Sequence, residues 1–241
     1  MNQGNKLETR VIHGGQTEDP TTGAVMPPIV TASTYKQSSP GKHKGFEYSR
    51  SHNPTRFAYE RAVANLESGT AGFAFASGLA AISTILELLQ PGDHVIAADD
   101  LYGGTFRLFD MVRKRSQGLN FSFVDCVNTA NIEQAITPQT KMIWIETPSN
   151  PLLKLLDIQS IAKIAKKHNI TTVCDNTFAS PIIQRPLELG FDIVVHSATK
   201  YLNGHSDVIS GVVVTKDDNL TEQMRYLQNA IGAVGGAFDS Y

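Results

Sequence analysis

Lys200 sits near the centre of VVHSATKYLNGHSD, the segment from Val194 to Asp207. The β-branched run Ile193, Val194 and Val195 leads into two hydroxyls, Ser197 and Thr199, three residues and one residue before the lysine. A lysine held at a strand exit can exchange between free amine and imine, the chemistry that anchors an aldehyde cofactor. The two hydroxyls would add neutral donors for the anionic end of such a cofactor. A surface lysine beside a polar turn has the same local pattern, and Ser-X-X-Lys alone matches many unrelated chains. Support has to come from other segments.

Asp175 supplies some. Ile170 to Asp175 (ITTVCD) reads as a buried strand ending in a carboxylate, followed by Asn176, Thr177 and Phe178. Pyridoxal phosphate needs a negative charge opposite its ring nitrogen, because the protonated ring accepts electrons from a substrate carbanion. An Asp at the carboxyl end of a parallel strand projects into the crevice where α/β ligands lie. A second strand reaching Val195 would bring Lys200 to the same edge. Helix capping is the competing reading of such an Asp. Upstream, FAFASGLAAISTILELL (Phe73 to Leu89) reads as a strand, a Ser-Gly turn and an apolar helix. The first amides of that helix, around Gly78 and Leu79, would be unpaired donors aimed at an anion. Tyr102 follows HVIAA at another strand exit and could stack on a cofactor ring. Each site is ambiguous alone, and their joint order along alternating strands and helices is not.

In that order the chain resembles the Cys/Met-metabolism family of pyridoxal-phosphate enzymes, the transsulfuration group of the aspartate-aminotransferase-like fold. The resemblance rests on FEYSRSHNPTR (Phe46 to Arg56), AFASGLAA, DDLYGGT, IETPSNP (Ile145 to Pro151), VCDNTFASP and SATKYLNGHSD, which span nearly all of the chain. It implies that Lys200 carries the cofactor aldehyde as an imine. Asp175 would pair with the pyridine nitrogen, and Tyr102 would stack on the ring and assist proton transfer. Ser77, Gly78, Leu79, Ser197 and Thr199 would surround the phosphate, with Thr177 also beside the cofactor. Tyr48 and Arg50 match residues that reach the phosphate of a neighbouring subunit, so a dimer is the expected minimal unit and a tetramer the expected assembly. Asn150 matches a residue beside the cofactor hydroxyl and the substrate carboxylate.

Composition fits a metabolic enzyme. With 241 residues and 41% hydrophobic content, the chain can bury one substantial α/β core. A net charge of −2 with interspersed Lys and Glu gives no basic stripe for nucleic acid. Cys126 and Cys174 both close strand-like runs and read as reduced, buried thiols of a cytoplasmic protein. None of the seven histidines has metal-ligand spacing, and His196 and His205 read as packing or turn residues. No apolar run approaches ~20 residues, so no membrane span is expected, and the polar start from Met1 to Arg10 is not a signal peptide.

These residues need a scaffold. Residues 1–60 are rich in Gly, Pro, Ser and Thr and read as an extended arm lying on a partner surface. Residues 61–241 read as the large cofactor-binding domain, entered through a helix at Phe57–Leu66. Strands are expected at Gly72–Ala76, His94–Ala98, Asn120–Val124, Lys141–Glu146, Thr171–Asp175, Ile193–His196 and Val208–Thr215. Helices are expected near Leu79–Leu89, Gly104–Arg115, Asn131–Ile136, Ile158–His168 and Asn219–Ala230. The alternation predicts a mostly parallel sheet with helices on both faces. The chain stops at Tyr241, where the family continues into a smaller C-terminal domain, so that domain is expected to be absent and the 241 residues alone to be inactive.

Within the resemblance, the bond broken is the open question. Arg107, five residues after Tyr102, could pair with a distal substrate carboxylate, or it could be an exposed helix arginine. Arg in the YGG motif is similar to cystathionine γ-lyases and γ-synthases, and Glu47 in FEYSR to the γ-lyases, Glu47 being placed with the substrate residues. Gly104 stands where methionine γ-lyases carry Cys, and GGAFDSY is similar to γ-synthases. The expected order is γ-lyase, then γ-synthase, then β-lyase. A non-catalytic protein built on the dimer surface is the reading from another class. A nucleotide-binding module lacks both G-x-G-x-x-G and G-x-x-x-x-G-K-[ST] here.

Overall fold

The β-branched runs form one seven-stranded sheet in a computed structural model that describes residues 5–241. In chain order the strands are β1 Ala71–Phe75, β2 His94–Ala98, β3 Asn120–Val124, β4 Thr140–Glu146, β5 Thr171–Asp175, β6 Ile193–Ser197 and β7 Gly211–Thr215. In space they run β1-β7-β6-β5-β4-β2-β3. The stretch from β6 to β3 is parallel, and β7 enters antiparallel to both β6 and β1. Parallel pairing forces a crossover after each strand, and helices supply most of these. The helices are α1 Leu7–His13, α2 Pro54–Leu66, α3 Gly78–Leu86, α4 Gly103–Arg107, α5 Lys114–Ser116, α6 Thr129–Ala135, α7 Ile158–His168, α8 Ser180–Ile183, α9 Asp218–Ile231 and α10 Ala237–Ser240.

Both faces of the central strands are dry. Along β6 and β7, Ile193, Val195 and Val213 belong to the large core, whereas Val194, Val212 and Val214 join a second cluster with Val63, Ala64 and Leu187. The period of two in a strand sends neighbours to opposite faces, so continuous Val and Ile here mean burial on both sides. The large core centres on Trp144, Phe109, Ile85 and Ile145, all fully buried. Truncating Ile85 to Ala would cost about 2–5 kcal/mol, because the surrounding layers cannot close the cavity. Helix α7 shows how the pattern orients an element. Ile158, Ile161, Ala162 and Ala165 are its buried residues, at helical spacing. Asp157 caps its start by accepting Ser160 N–H at 3.0 Å, and Asn169 in the left-handed region ends it.

Three features differ from the sequence expectation. Helix α2 begins at Pro54 rather than Phe57, because Asn53 accepts Arg56 N–H at 3.0 Å and Pro54 suits the first helical position. The region 1–60 therefore contains the first residues of α2 as well as α1, whose Arg10 donates to Asn65 Oδ1 at 3.0 Å. The helix expected over Gly104–Arg115 is three consecutive segments, with wider turns over Leu108–Arg113 between α4 and α5. Finally, β7 starts at Gly211 rather than Val208. A Cβ on Gly211 would lie 2.3 Å from Ser77 O, so the strand enters hard against the β1–α3 turn.

Candidate active site

The carboxyl ends of β4, β5 and β6 share one edge, with Glu146 paired to Asp175 and Asp175 to Val195. A cleft of about 240 Å³ opens there. It is lined by Ser77, Gly78, Leu79, Tyr102, Asn150, Asp175, Thr177, Ser197, Thr199 and Lys200, together with Ile82, Glu146, Phe178 and Ile209. Ten of the residues singled out from the sequence thus converge from the ends of five strands.

Asp175 is 7% exposed. Its Oδ1 accepts Thr177 N–H at 3.0 Å and Thr177 Oγ1–H at 2.5 Å, and among the described residues Oδ2 receives no hydrogen bond. Burial raises its proton affinity, against the pull of the Thr177 donors and of His196. A buried carboxyl with one oxygen left over suits a cationic partner such as a pyridinium N–H. Thr177 Oγ1 also accepts Ser197 N–H at 2.8 Å, so the turn leading to Lys200 is tied directly to the Asp175 pair.

The anion end is built from α3. Ser77 caps the helix, its Oγ accepting Ala80 N–H at 3.0 Å. The Gly78 and Leu79 N–H groups are the helix's first two donors and have no partner among the described residues. A Cβ on Gly78 would meet Ser197 Cβ at 3.0 Å, so glycine allows the two turns to close on each other. Thr199 is less available than the sequence suggested. Its hydroxyl donates to Ser210 O at 3.2 Å and accepts Ser210 N–H at 3.0 Å, which fixes the turn rather than facing an anion. Lys200 is exposed at the cleft and makes no ion pair among the described residues.

Two loops place the remaining walls. Tyr102, 43% exposed, donates its backbone N–H to Glu146 Oε2 at 2.8 Å. A Cβ on Gly104 would fall 2.4 Å from Tyr102 Cε1, so that glycine leaves room for the phenol ring. The Asn150 loop is pinned to the same region by Asp100, which accepts the Ser149 hydroxyl and Leu152 N–H, the latter at 2.9 Å. Lys154 adds ion pairs to Asp99 at 2.8 Å and Asp125 at 3.2 Å.

Four residues named from the sequence lie elsewhere. Tyr48 and Arg50 line a separate groove with Gly232 and Phe238, Arg50 donating to Asn229 Oδ1 at 2.9 Å. Glu47 stands 3.9 Å from His43. Arg107 is exposed at the end of α4 and does not line the cleft. Conversely, Glu146 faces the cleft and was not singled out. The signal was present, since Ile145-Glu146 ends a buried strand just as Cys174-Asp175 does. His196 also does more than pack. It is fully buried, with Nε2 2.6 Å from Glu67 Oε1, and Asn176 Nδ2 donates to the same oxygen at 2.7 Å. Both cysteines are free and buried. Among the described residues no helix is long and apolar enough to cross a membrane, and no cluster of His, Cys, Asp and Glu could hold a metal ion.

A family model for Cys/Met metabolism PLP-dependent enzymes matches residues 8–241. The chain is 67% identical over 241 residues to a cystathionine beta-lyase of Coxiella burnetii, covering 100% of this chain and 62% of that protein. It is 52% identical over 236 residues to a cystathionine gamma-lyase of Bacillus subtilis, covering 98% and 62%. Among solved structures, cystathionine gamma-lyase from Lactobacillus plantarum complexed with L-serine superposes with a TM-score of 0.96 at 55% identity, over 98% of this chain and 61% of that one. The chain therefore spans about 62% of the length of the curated relatives it matches. With an anion end, a buried acid and a lysine around one cleft, the residues fit the cofactor, and the chain belongs to the Cys/Met-metabolism family of pyridoxal-phosphate-dependent enzymes.

Proposed function

We propose that the intact protein is a lyase that cleaves a carbon–sulfur bond of L-cystathionine. The observation that carries this reading is the convergence of Lys200, Asp175 and the unpaired amides of α3 on one cleft. Pyridoxal phosphate, when bound, supplies an aldehyde that condenses with amines and a protonated ring that accepts the electron pair released at a substrate Cα. Lys200 Nζ would hold the aldehyde carbon, and Asp175 would keep the proton on the ring nitrogen. Gly78 N, Leu79 N and the hydroxyls of Ser77 and Ser197 would hold the phosphate, with Thr199 fixing the turn that carries them. Tyr102 offers a flat ring for stacking, and Asn150 an amide for the substrate carboxylate. As a free amine, Lys200 Nζ is the base for the Cα proton.

β-Cleavage needs only that proton removal before sulfur leaves Cβ as homocysteine, with water then giving pyruvate and ammonia. γ-Cleavage needs a second proton moved from Cβ, again by Lys200, before sulfur leaves Cγ as cysteine, with 2-oxobutanoate and ammonia as the other products. Identity of 67% along the whole chain to a β-lyase favours β-cleavage. Arg107 and the FEYSR motif, with γ-lyases at 52–55% identity, support γ-cleavage as the second reading. In the same proposal the segment before α2 brings Tyr48 and Arg50 to the phosphate site of a neighbouring subunit.

The intact protein incubated with cystathionine should release homocysteine and pyruvate. Cysteine and 2-oxobutanoate would establish the second reading instead. Cystathionine formed from an activated homoserine and cysteine, with little cleavage, would make the protein a γ-synthase. Borohydride reduction followed by mass spectrometry should place a pyridoxyl group on Lys200, and an unmodified Lys200 would overturn the site.

A further inference from the structure

Glu146 and Asp175 are the last residues of two parallel neighbours and are paired in register. Paired residues of a sheet project to the same face, and both of these line the cleft. They are 4% and 7% exposed, respectively. Two carboxyls side by side and out of water do not both ionise cheaply, since each lacks solvation and repels the other. The donors differ in kind, a hydroxyl and an amide on Asp175 against backbone amides on Glu146. Asp175 accepts two hydrogen bonds from Thr177, whereas Glu146 accepts Tyr102 N–H at 2.8 Å.

We propose that Glu146 is a positioning residue of this cleft: as a neutral acid it holds the Tyr102 turn while Asp175 bears the charge, and its ionisation sets a second negative charge beside Asp175. The inference rests on the cofactor placement proposed above. Burial, followed by repulsion from Asp175 and more weakly from Asp100, pushes the Glu146 carboxyl up to about 8, against the Tyr102 and Asn150 amides. The groups that face it come from three directions. Asp175 lies on β5, Asp100 and Tyr102 on the turn after β2, and Lys200 lines the same cleft beyond β6. His196, also on β6, acts through Asp175. Asp175 and Asp100 discourage ionisation of Glu146, and Lys200 is the nearby amine that would favour it.

A second carboxylate stabilises positive charge on the cofactor, so its titration should appear in the cofactor's visible spectrum. The intact protein with pyridoxal phosphate bound should show an absorbance step with pH, above the ordinary carboxylate range, that is lost in Glu146→Gln, which keeps an acceptor for Tyr102 N–H. Infrared spectroscopy of protein labelled with carboxyl-¹³C glutamate should show a protonated carboxyl band that fades over the same range and is missing from Glu146→Gln. The buried Glu60 would contribute equally to both spectra. Because the folded carboxyl lies above its ordinary 4.5, wild-type stability should fall as pH rises from 4.5 through about 8, and Glu146→Gln should be spared that part of the loss. Superimposable titrations and infrared bands for wild type and Glu146→Gln would overturn the proposal. Should Glu146→Gln fail to fold, Glu146→Asp must move the band from the glutamate label to an aspartate label, and a band that stays put would equally overturn it. Failure of the cofactor to attach to Lys200 would defeat the site reading alone, because the infrared band reports on Glu146 without the cofactor.

Discussion

In the cleft, polar groups are set by strand ends and helix caps, whereas the arm's turn at residues 49–51 is gathered by a buried guanidinium. Asp175 and Ser197 are terminal strand residues, and Ser77 is a helix cap. Tyr48 and Arg50 instead flank a turn whose carbonyls converge on Arg56, itself 1% exposed. Arg56 donates to Ser49 O at 2.7 Å, Arg50 O at 3.0 Å and Ser51 O at 3.1 Å, and pairs with Glu60 at 3.3 Å. Loss of that arginine would leave the buried Glu60 without its cation and three carbonyls without their donor, so this turn rests on a charge network rather than on a core. The cleft is set by its own chain's strand ends, and the arm is a part shaped, in the proposal above, to serve a neighbour's cleft. Four substitutions test that division.

The largest effect belongs to Lys200→Ala. A proton-transferring amine is worth about 10²–10⁴ in rate, and the same amine is the proposed attachment point. Turnover should fall by about 10³-fold or more while the thermal midpoint barely moves, because the side chain is exposed and unpaired among the described residues. Retained turnover above about a tenth of wild type would show that the cleft is not the reaction site.

Gly104→Ala probes the cleft by steric means alone. The added methyl would fall 2.4 Å from the Tyr102 ring, which must move. Displacing a positioned group by about 1 Å can cost on the order of 100-fold in rate, so kcat should drop by about that factor with little change in cofactor content. A wild-type kcat would mean that the ring position seen here does not matter to the chemistry.

These two residues also show what the sequence made legible. Strand ends, the Ser-Gly turn and the lysine segment are local patterns, and Lys200, Asp175, Ser77 and Gly78 could be placed from them before any fold was known. The reason for Gly104 was not legible, because it depends on where the Tyr102 ring folds back. For Glu146 the local signal, a carboxylate ending a buried strand, is present in IETPSNP, but only the β4–β5 register sets it beside Asp175. The Thr199 hydroxyl lines the cleft and is also tied to Ser210, eleven residues on, which nothing in its own segment announces. The early start of α2, by contrast, was written in Asn53-Pro54 and could have been read as a cap.

Arg50→Ala tests the arm. If Arg50 serves a neighbouring subunit's phosphate, losing one charge-assisted contact should weaken cofactor retention by roughly 10- to 100-fold. Mixing this variant with Lys200→Ala should then recover part of the activity, since one site of a hybrid dimer holds both residues intact. No recovery after demonstrated subunit exchange would return Arg50 to the role it has here, a link to Asn229.

Arg107→Ala should have the smallest effect and bears on both regions. The side chain is exposed at the end of α4 and does not line the cleft. Exposed ion pairs are weak because water screens them and the long side chain must be ordered to make them. If Arg107 meets the distal carboxylate of cystathionine only in that setting, KM for cystathionine should rise by no more than about fivefold. KM for methionine, which has no distal carboxylate, should not change. A rise of about tenfold or more confined to cystathionine would mean that the pair is buried when substrate is bound, since pairs that leave a buried carboxylate unmatched cost far more. An equal change for both substrates would make Arg107 a residue of the helix surface alone.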